Sequence, residues 1–282
     1  MLKPDFSQRF RAVEGIYFPQ DGASDYAQSK ELWENAAAGW IRTGYGAHAP
    51  GGLWKQFPQQ RRFDSIVDLG CGYGRHSIFL SEQMGVQCDR YYAFDIAEAM
   101  LRRLLECKAH FDFFPKAEFT VVCMPLQELP IADNSVEIVY SSSVFMHLNR
   151  PDIVRVLGEI QRILKPGGSF IFNDSFHHKD CPSYQISNLF RRLKGADHKA
   201  MYLQQYTLAD IETLMQESRL ADKTGDYTIT PNSYEVVPPK FQQFLPGGKW
   251  LNDKLIRAAD PEVKQTRYAS SYSIYSENLG LK

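Results

Sequence analysis

Residues 65–76 constrain this chain more than any other stretch: Ser65-Ile66-Val67-Asp68-Leu69-Gly70-Cys71-Gly72-Tyr73-Gly74-Arg75-His76. A short apolar run leads into three alternating glycines and then into helix-compatible residues. That order predicts a buried strand, a tight turn and the start of a helix. Glycine permits positive φ and lets backbone approach a ligand closely. The first turn of a helix offers unpaired N–H groups to an anionic group. Asp95 follows at the end of a second apolar run, Tyr91-Tyr92-Ala93-Phe94. A carboxylate at the tip of the next strand can accept hydrogen bonds from two ribose hydroxyls. The combination implies a nucleoside-cofactor site.

The glycine spacing narrows the cofactor. A dinucleotide fingerprint needs G-x-G-x-x-G, with its last glycine at the helix–strand contact. Gly70 and Gly72 fit, but Arg75 occupies the third position. The chain has instead D-x-G-x-G-x-G from Asp68 to Gly74. This resembles motif I of the class I S-adenosylmethionine-dependent methyltransferases. The resemblance continues through residues 94–101, Phe94-Asp95-Ile96-Ala97-Glu98-Ala99-Met100-Leu101, through residues 129–140, and at Leu164-Lys165-Pro166-Gly167-Gly168. It covers roughly residues 60–175 and implies a Rossmann-like, doubly wound α/β fold. In that family the sheet has seven mostly parallel strands and ends in an antiparallel hairpin.

The length, 282 residues, suits one large domain or one domain with appendages. A formal net charge of -1 argues against a dedicated nucleic-acid binder, whose footprint is strongly basic. No apolar run approaches membrane-spanning length, and the first residues carry no signal-like stretch, so no membrane partner is expected. The five cysteines include no C-x-x-C pair, which suggests neither a disulfide scaffold nor a structural zinc site. A reducing, cytoplasmic setting is the simplest expectation.

Along the chain, residues 1–60 read as an aromatic, irregular extension with a helix around residues 26–41, acting as a lid. Residues 61–282 read as the cofactor-binding domain. Its core alternates: strand 65–69, helix 75–84, strand 90–94, helix 97–109, strands 118–123 and 136–141, helix 151–164, strand 168–173. In helix 151–164 the residues Ile153, Val156, Leu157, Ile160, Ile163 and Leu164 recur at helical spacing. Pro151 suits its first turn, and Pro166-Gly167-Gly168 suits its end. Thr207 reads as the N-cap of a helix to about 219. Strands near 226–230 and 268–276 would supply the terminal hairpin. Two stretches, about 175–205 and 231–265, are then insertions, expected over the carboxyl ends of the strands as a substrate cap.

The resemblance implies a role for each site residue. Gly70, Cys71 and Gly72 would carry backbone past the methionine portion of S-adenosylmethionine. Asp68 would hold the loop and, directly or through water, the cofactor's amino group. Asp95 would bind both ribose hydroxyls, with helix capping as its alternative role. Ile96 and Met100 would pack beside the adenine, and Ser141 would stand at the tip of the fourth strand. Many relatives carry an aspartate after the third strand. Here Val122-Cys123-Met124-Pro125-Leu126-Gln127 has none. Met124 and Leu126 would pack on the base instead, or Met124 serves as plain core. Tyr26, Trp33 and Arg42 resemble the lid of the glycine N-methyltransferase group. Arg42 or Arg75 would pair with the cofactor carboxylate. The competing reading makes Trp33, Ala37 and Trp40 the buried stripe of an amphipathic helix.

The implied reaction is in-line methyl transfer to a hydroxyl or amine of a small-molecule acceptor, with a carbon as the lesser alternative; a general base assists where the acceptor carries a proton. Candidate bases are His147, His177 and His178, with a structural role the competing reading for His147. No metal is expected. The cluster His177, His178, Asp180, Cys181 is spaced too tightly for a tetrahedral set. Serines stand where a magnesium-dependent catechol enzyme would want an aspartate after the fourth strand. The basic run Arg191, Arg192, Lys194, Lys199 could meet an anionic acceptor or form a solvated helix face. The alternatives to a methyltransferase are a non-methylating or purely cofactor-binding protein on the same fold, and a nicotinamide-dependent oxidoreductase. A homodimer is left open.

Overall fold

A computed structural model describes residues 1–20, 30–35, 37, 57–174, 181–193 and 206–280. Nine strands form one sheet: β1 (Phe10–Val13), β2 (Ile16–Pro19), β3 (Arg62–Leu69), β4 (Gln87–Asp95), β5 (Glu118–Cys123), β6 (Val136–Ser142), β7 (Leu164–Asp174), β8 (Tyr227–Tyr234) and β9 (Ala269–Ser276). Their order is β1-β2-β5-β4-β3-β6-β7-β9-β8. From β5 to β7 all neighbours are parallel, and β9 pairs antiparallel with both β7 and β8. The expected seven-strand arrangement with its terminal hairpin is therefore present. Every expected strand lies within an observed one to a residue or so, and β7 starts earlier, directly from the preceding helix.

The difference is at the other edge. Residues 1–20 do not form a lid; they lengthen the sheet. After a helical turn at Phe6–Arg9, β1 and β2 form a hairpin, and β2 pairs parallel with β5 through Ile16↔Val121 and Tyr17↔Val122. The turn residues Glu14 and Gly15 both have positive φ, 50° and 84°, which suits the two-residue hairpin turns whose twist matches that of the strands. Ile16 is fully buried, and the rings of Phe6 and Phe10 stack at 4.7 Å.

Helices cover both faces, as a buried parallel sheet requires. We label them α1 (Arg75–Ile78, continued by a π turn at Phe79–Gln83), α2 (Glu98–Phe111), α3 (Arg150–Ile163), α4 (Pro182–Leu193), α5 (Leu208–Ser218), α6 (Pro239–Phe244) and α7 (Gly248–Ala258). Strand residues alternate between two cores. Ile66, Tyr91, Ala93 and Ile138 face α1 and α2. Val67, Tyr92, Phe94 and Val139 face α3 and α5. Both sides of each strand are thus apolar, which explains the unbroken hydrophobic runs in sequence. The capping chemistry is local. Asn149 Oδ1 accepts from the Asp152 N–H at 2.9 Å to start α3, and Thr207 with Asp210 forms a capping box on α5.

The insertions fold into α4 and into α6–α7. Cys181 Sγ contacts the Glu235 carbonyl, Ser183 Oγ donates to the Glu235 carboxylate, and Phe190 packs on Phe241 at 4.9 Å. They spring from the ends of β7 and β8, so they stand at the carboxyl side of the sheet. Residues 175–180 and 194–205 lie outside the described residues.

Candidate active site

In an open α/β sheet the ligand crevice lies where the strand order reverses, beyond the carboxyl ends of the strands. Here that point is between β3 and β6. A cavity of about 760 Å³ opens there, within the range of small-molecule sites. Its wall is assembled from the loop after β3, the tip of β4, the segments after β5 and β6, the start of α3, and the helical residues 30–35.

The loop after β3 is the wall's centre. Gly70, Gly72 and Gly74 all have positive φ: 66°, 53° and 84°. A Cβ at Gly70 would meet Val144 at 2.2 Å, and one at Gly74 would meet Leu104 at 2.4 Å. Those two glycines are packing requirements. Gly72 differs, because nothing lies within 4 Å of where its Cβ would be. It faces the cavity, so backbone is left open there for a ligand. The N–H groups of Gly70 and Cys71 both bond the Phe94 carbonyl, at 2.8 and 3.0 Å, which ties the loop to β4.

Asp95 stands at the end of β4 on the cavity wall. One carboxylate oxygen accepts from the Gly72 N–H and the other from the Ala97 N–H, each at 2.9 Å. It therefore joins the glycine loop to Ala97, the N-cap residue of α2, but it does not cap the helix itself. A carboxylate has about four lone-pair sites, so two remain for hydroxyl donors. Burial pushes its pKa up, and the backbone N–H bonds oppose that. Cys71, Ile96, Met100, Leu126 and Arg75 line the same cavity, and Arg75 Nε donates to His76 Nε2 at 3.0 Å.

Three expected contacts are displaced. Asp68 does not reach the cavity. Its Oδ2 accepts from the hydroxyls of Tyr91, Tyr140 and Ser77, at 2.9, 2.9 and 3.0 Å, in the core beneath the loop. Desolvation raises its pKa to about 7. It supports the loop and does not face a ligand. Ser141 is fully buried and donates to the Leu69 carbonyl, joining β6 to β3; its neighbours Ser142 and Ser143 line the cavity instead. Met124 packs in the core with Leu129 and Ile131, leaving Pro125, Leu126 and Gln127 on the wall. For Ser141 the reason is strand alternation, since Ser142 one residue on reaches the wall. Asp68 stands two residues short of the loop, where both faces of β3 are covered by core.

On the far wall, His147 meets Trp33 edge-on, with ring centroids 4.6 Å apart. Trp33 also packs on Ala37, Ala97 and Met100, so it both lines the cavity and belongs to a small core. Glu34 fixes the 30–35 helix in place. Its two carboxylate oxygens accept from the N–H groups of Glu98 and Ala99 at 2.6 and 3.1 Å, capping α2 from outside. The loop carrying His147 is held by Asp174, whose carboxylate accepts from the Phe145 and Met146 N–H groups at 3.3 and 3.2 Å. Burial raises the Asp174 pKa to about 7. Asn173 accepts from Asn232 and Ser273, so both residues after β7 are engaged in structure.

Tyr26, Arg42, Trp40, His177, His178, Asp180, Lys194 and Lys199 lie outside the described residues. Among the described residues there is no metal-binding cluster. Sequence reading passed over Glu31, Gln127, Asn149 and Asp152, which line the cavity. Only Asn149 had a visible signal, as a cap residue just before Pro151.

Residues 67–172 match a family model described as a methyltransferase domain. Over that stretch, which is under half of the chain, the protein is similar to methyltransferase domains. The chain is 30% identical to phosphoethanolamine N-methyltransferase 1 of Triticum aestivum over 44% of its length and 24% of that relative. It is 31% identical to the malonyl-[acyl-carrier protein] O-methyltransferase of Methylovorus over 39% of its length and 36% of that protein. It thus spans less than half of either relative. The fold matches Haemonchus contortus phosphoethanolamine N-methyltransferase 2 in complex with S-adenosyl-L-methionine, with a TM-score of 0.52 at 19% identity, covering 92% of this chain and 60% of that one. The bare backbone at Gly72 beside the Asp95 carboxylate leaves room at this wall for a ligand bearing hydroxyl donors. No helix of the described residues is long and apolar enough to cross a membrane.

Proposed function

We propose that this chain transfers a methyl group to a nitrogen or oxygen of a small-molecule acceptor held in the 760 Å³ cavity. The observation that carries the reading is the pairing, in one cavity, of the Gly70–Gly72 loop and Asp95 with His147. When bound, S-adenosylmethionine supplies an electrophilic methyl group on a sulfonium. The chain supplies position and a dry wall. Asp95 would take the ribose hydroxyls. Gly70 and Gly72 would pass the methionine portion, and Ile96, Met100 and Leu126 would hold the base. Arg75 or Arg42 would pair with the carboxylate, with Tyr26 and Trp33 closing over it. A ring nitrogen of His147 would take the acceptor proton, with His177 and His178 as further candidates. Glu31 and Asp152 on the wall favour an acceptor that is protonated in water, such as an amine. The 30–35 helix would act as part of a lid, and α4 with α6–α7 as an acceptor-side cap.

Calorimetric titration with S-adenosylmethionine, S-adenosylhomocysteine and NAD, followed by an acceptor screen, tests this. Binding of the first two without NAD, and then acceptor-dependent turnover, is expected. Binding of NAD alone would overturn it.

A further inference from the structure

The cap carries an apolar surface that the cavity does not use. On α4, Leu189, Phe190 and Leu193 recur at i, i+1 and i+4 and stay exposed, Leu193 at 73%. The Phe190–Phe241 contact joins α4 to α6, which is followed in the chain by α7. There Phe244 and Trp250 are 80% and 63% exposed, with Leu245 between them in sequence. So many bulky apolar side chains exposed on neighbouring elements mark an interaction surface. The charge around them is basic in excess, with Asp260 and Glu262 following beyond α7. Residues 239–258 hold Lys240, Lys249, Lys254 and Arg257 against Asp253, in a chain whose net charge is -1. The two features meet in a groove of about 440 Å³ lined by Trp250, Lys254, Arg257 and Ala258, where Lys254 Nζ stands 4.9 Å from the Trp250 ring centre.

From the juxtaposition of exposed Phe244, Leu245 and Trp250 with Lys254 and Arg257, we propose that the cap docks on an anionic lipid bilayer. An amphipathic helix with Trp, Phe and Leu on one face and Lys and Arg beside them lies in a membrane interface. Apolar burial supplies part of the affinity and attraction to anionic headgroups the rest. Such docking needs no spanning segment, so the lack of long apolar runs is compatible with it. The cap stands at the carboxyl side of the sheet, the side on which the cavity opens. The inference does not depend on methyl transfer.

Vesicle sedimentation with the full chain tests it, using phosphatidylcholine alone and phosphatidylcholine mixed with phosphatidylglycerol. Binding to the mixed vesicles, weak binding to the neutral ones, and release by high salt are expected. Phe244→Ala with Trp250→Ala should weaken partitioning by about tenfold or more. Lys254→Ala with Arg257→Ala should remove the preference for anionic vesicles. All four residues are exposed, so far-ultraviolet circular dichroism and S-adenosylmethionine affinity should be unchanged. Absence of binding to the mixed vesicles overturns the proposal, as does unaltered binding by both double variants. So does sedimentation equilibrium showing a dimer that the Phe244/Trp250 substitutions dissociate while vesicles are ignored.

Discussion

At the scale of single residues, Asp95 and Asp68 show how alike two carboxylates look in sequence and how differently they act. Asp95→Ala removes the acceptor of two backbone N–H groups as well as the proposed ribose contact. Hydrogen bonds to a charged group contribute about 1.5–3 kcal/mol each, so S-adenosylmethionine affinity should fall at least about tenfold. Isothermal calorimetry reads this directly, and unchanged affinity would show that the ribose hydroxyls bind elsewhere. Asp68 reports through pH instead. Its pKa rises from 3.8 to about 7 on folding, so the folded state holds a proton that the unfolded chain has released. Its contribution therefore falls as pH rises from about 4 to about 7 and levels off above that. His76 acts in the opposite sense. Burial lowers its pKa from 6.5 to about 3, so its contribution is complete above 6.5 and is lost on acidification. Melting profiles of Asp68→Asn and the parent chain across this window cancel the histidine. The variant should gain relative stability as pH rises, and parallel profiles would contradict the assignment. D-x-G-x-G-x-G made both Asp68 and the glycines visible in sequence. It could not reveal that three hydroxyls from β4, β6 and α1 converge on Asp68, because Tyr91 and Tyr140 lie 23 and 72 residues further along the chain and are brought in by strand pairing.

At the scale of elements, the glycine loop and the 30–35 helix make separable predictions. Gly74→Ala forces a Cβ against Leu104 at positive φ and should cost about 2–4 kcal/mol of stability. Gly72→Ala meets no neighbour, so only strain of about 1–2 kcal/mol is expected. Its larger effect should be on cofactor affinity, since the new methyl enters the cavity. Chemical denaturation with calorimetry on both variants distinguishes packing from ligand approach; equal stability losses would erase the distinction. Glu34→Ala uncaps α2 and releases the helix bearing Trp33. It should weaken S-adenosylmethionine binding several-fold while leaving the sheet intact, and an unaltered dissociation constant would show that this helix does not close on the cofactor. The alternating strands and helices of residues 62–174 were legible because periodicity and caps are local signals. The β1–β2 hairpin was not. Phe10-Arg11-Ala12-Val13 and Ile16-Tyr17-Phe18-Pro19 are short, and the signal joining them is the modest pair Glu14-Gly15.

At the scale of the molecule, the hairpin closes one edge of the sheet while β8 ends the other. Removing residues 1–20 would expose the edge of β5 and the surface that Ile16, Phe6 and Phe10 cover. Losing a buried isoleucine contact alone costs about 2–5 kcal/mol, and an uncovered strand edge invites association. The truncated chain should melt lower and aggregate by light scattering. A soluble truncation with the parent melting temperature would show that the hairpin is dispensable.

By itself, the sequence determined the doubly wound core, the glycine turn and the carboxylate at the tip of β4. Each rests on residues close together in the chain, where spacing sets backbone geometry. Tertiary structure alone decided that Asp68 turns into the core, that Asp174 holds the His147 loop, and that Glu34 reaches across to α2. It also decided that the first twenty residues lengthen the sheet. Those contacts join groups far apart in sequence, and which face a side chain meets depends on strand register and neighbouring loops, which no local pattern encodes.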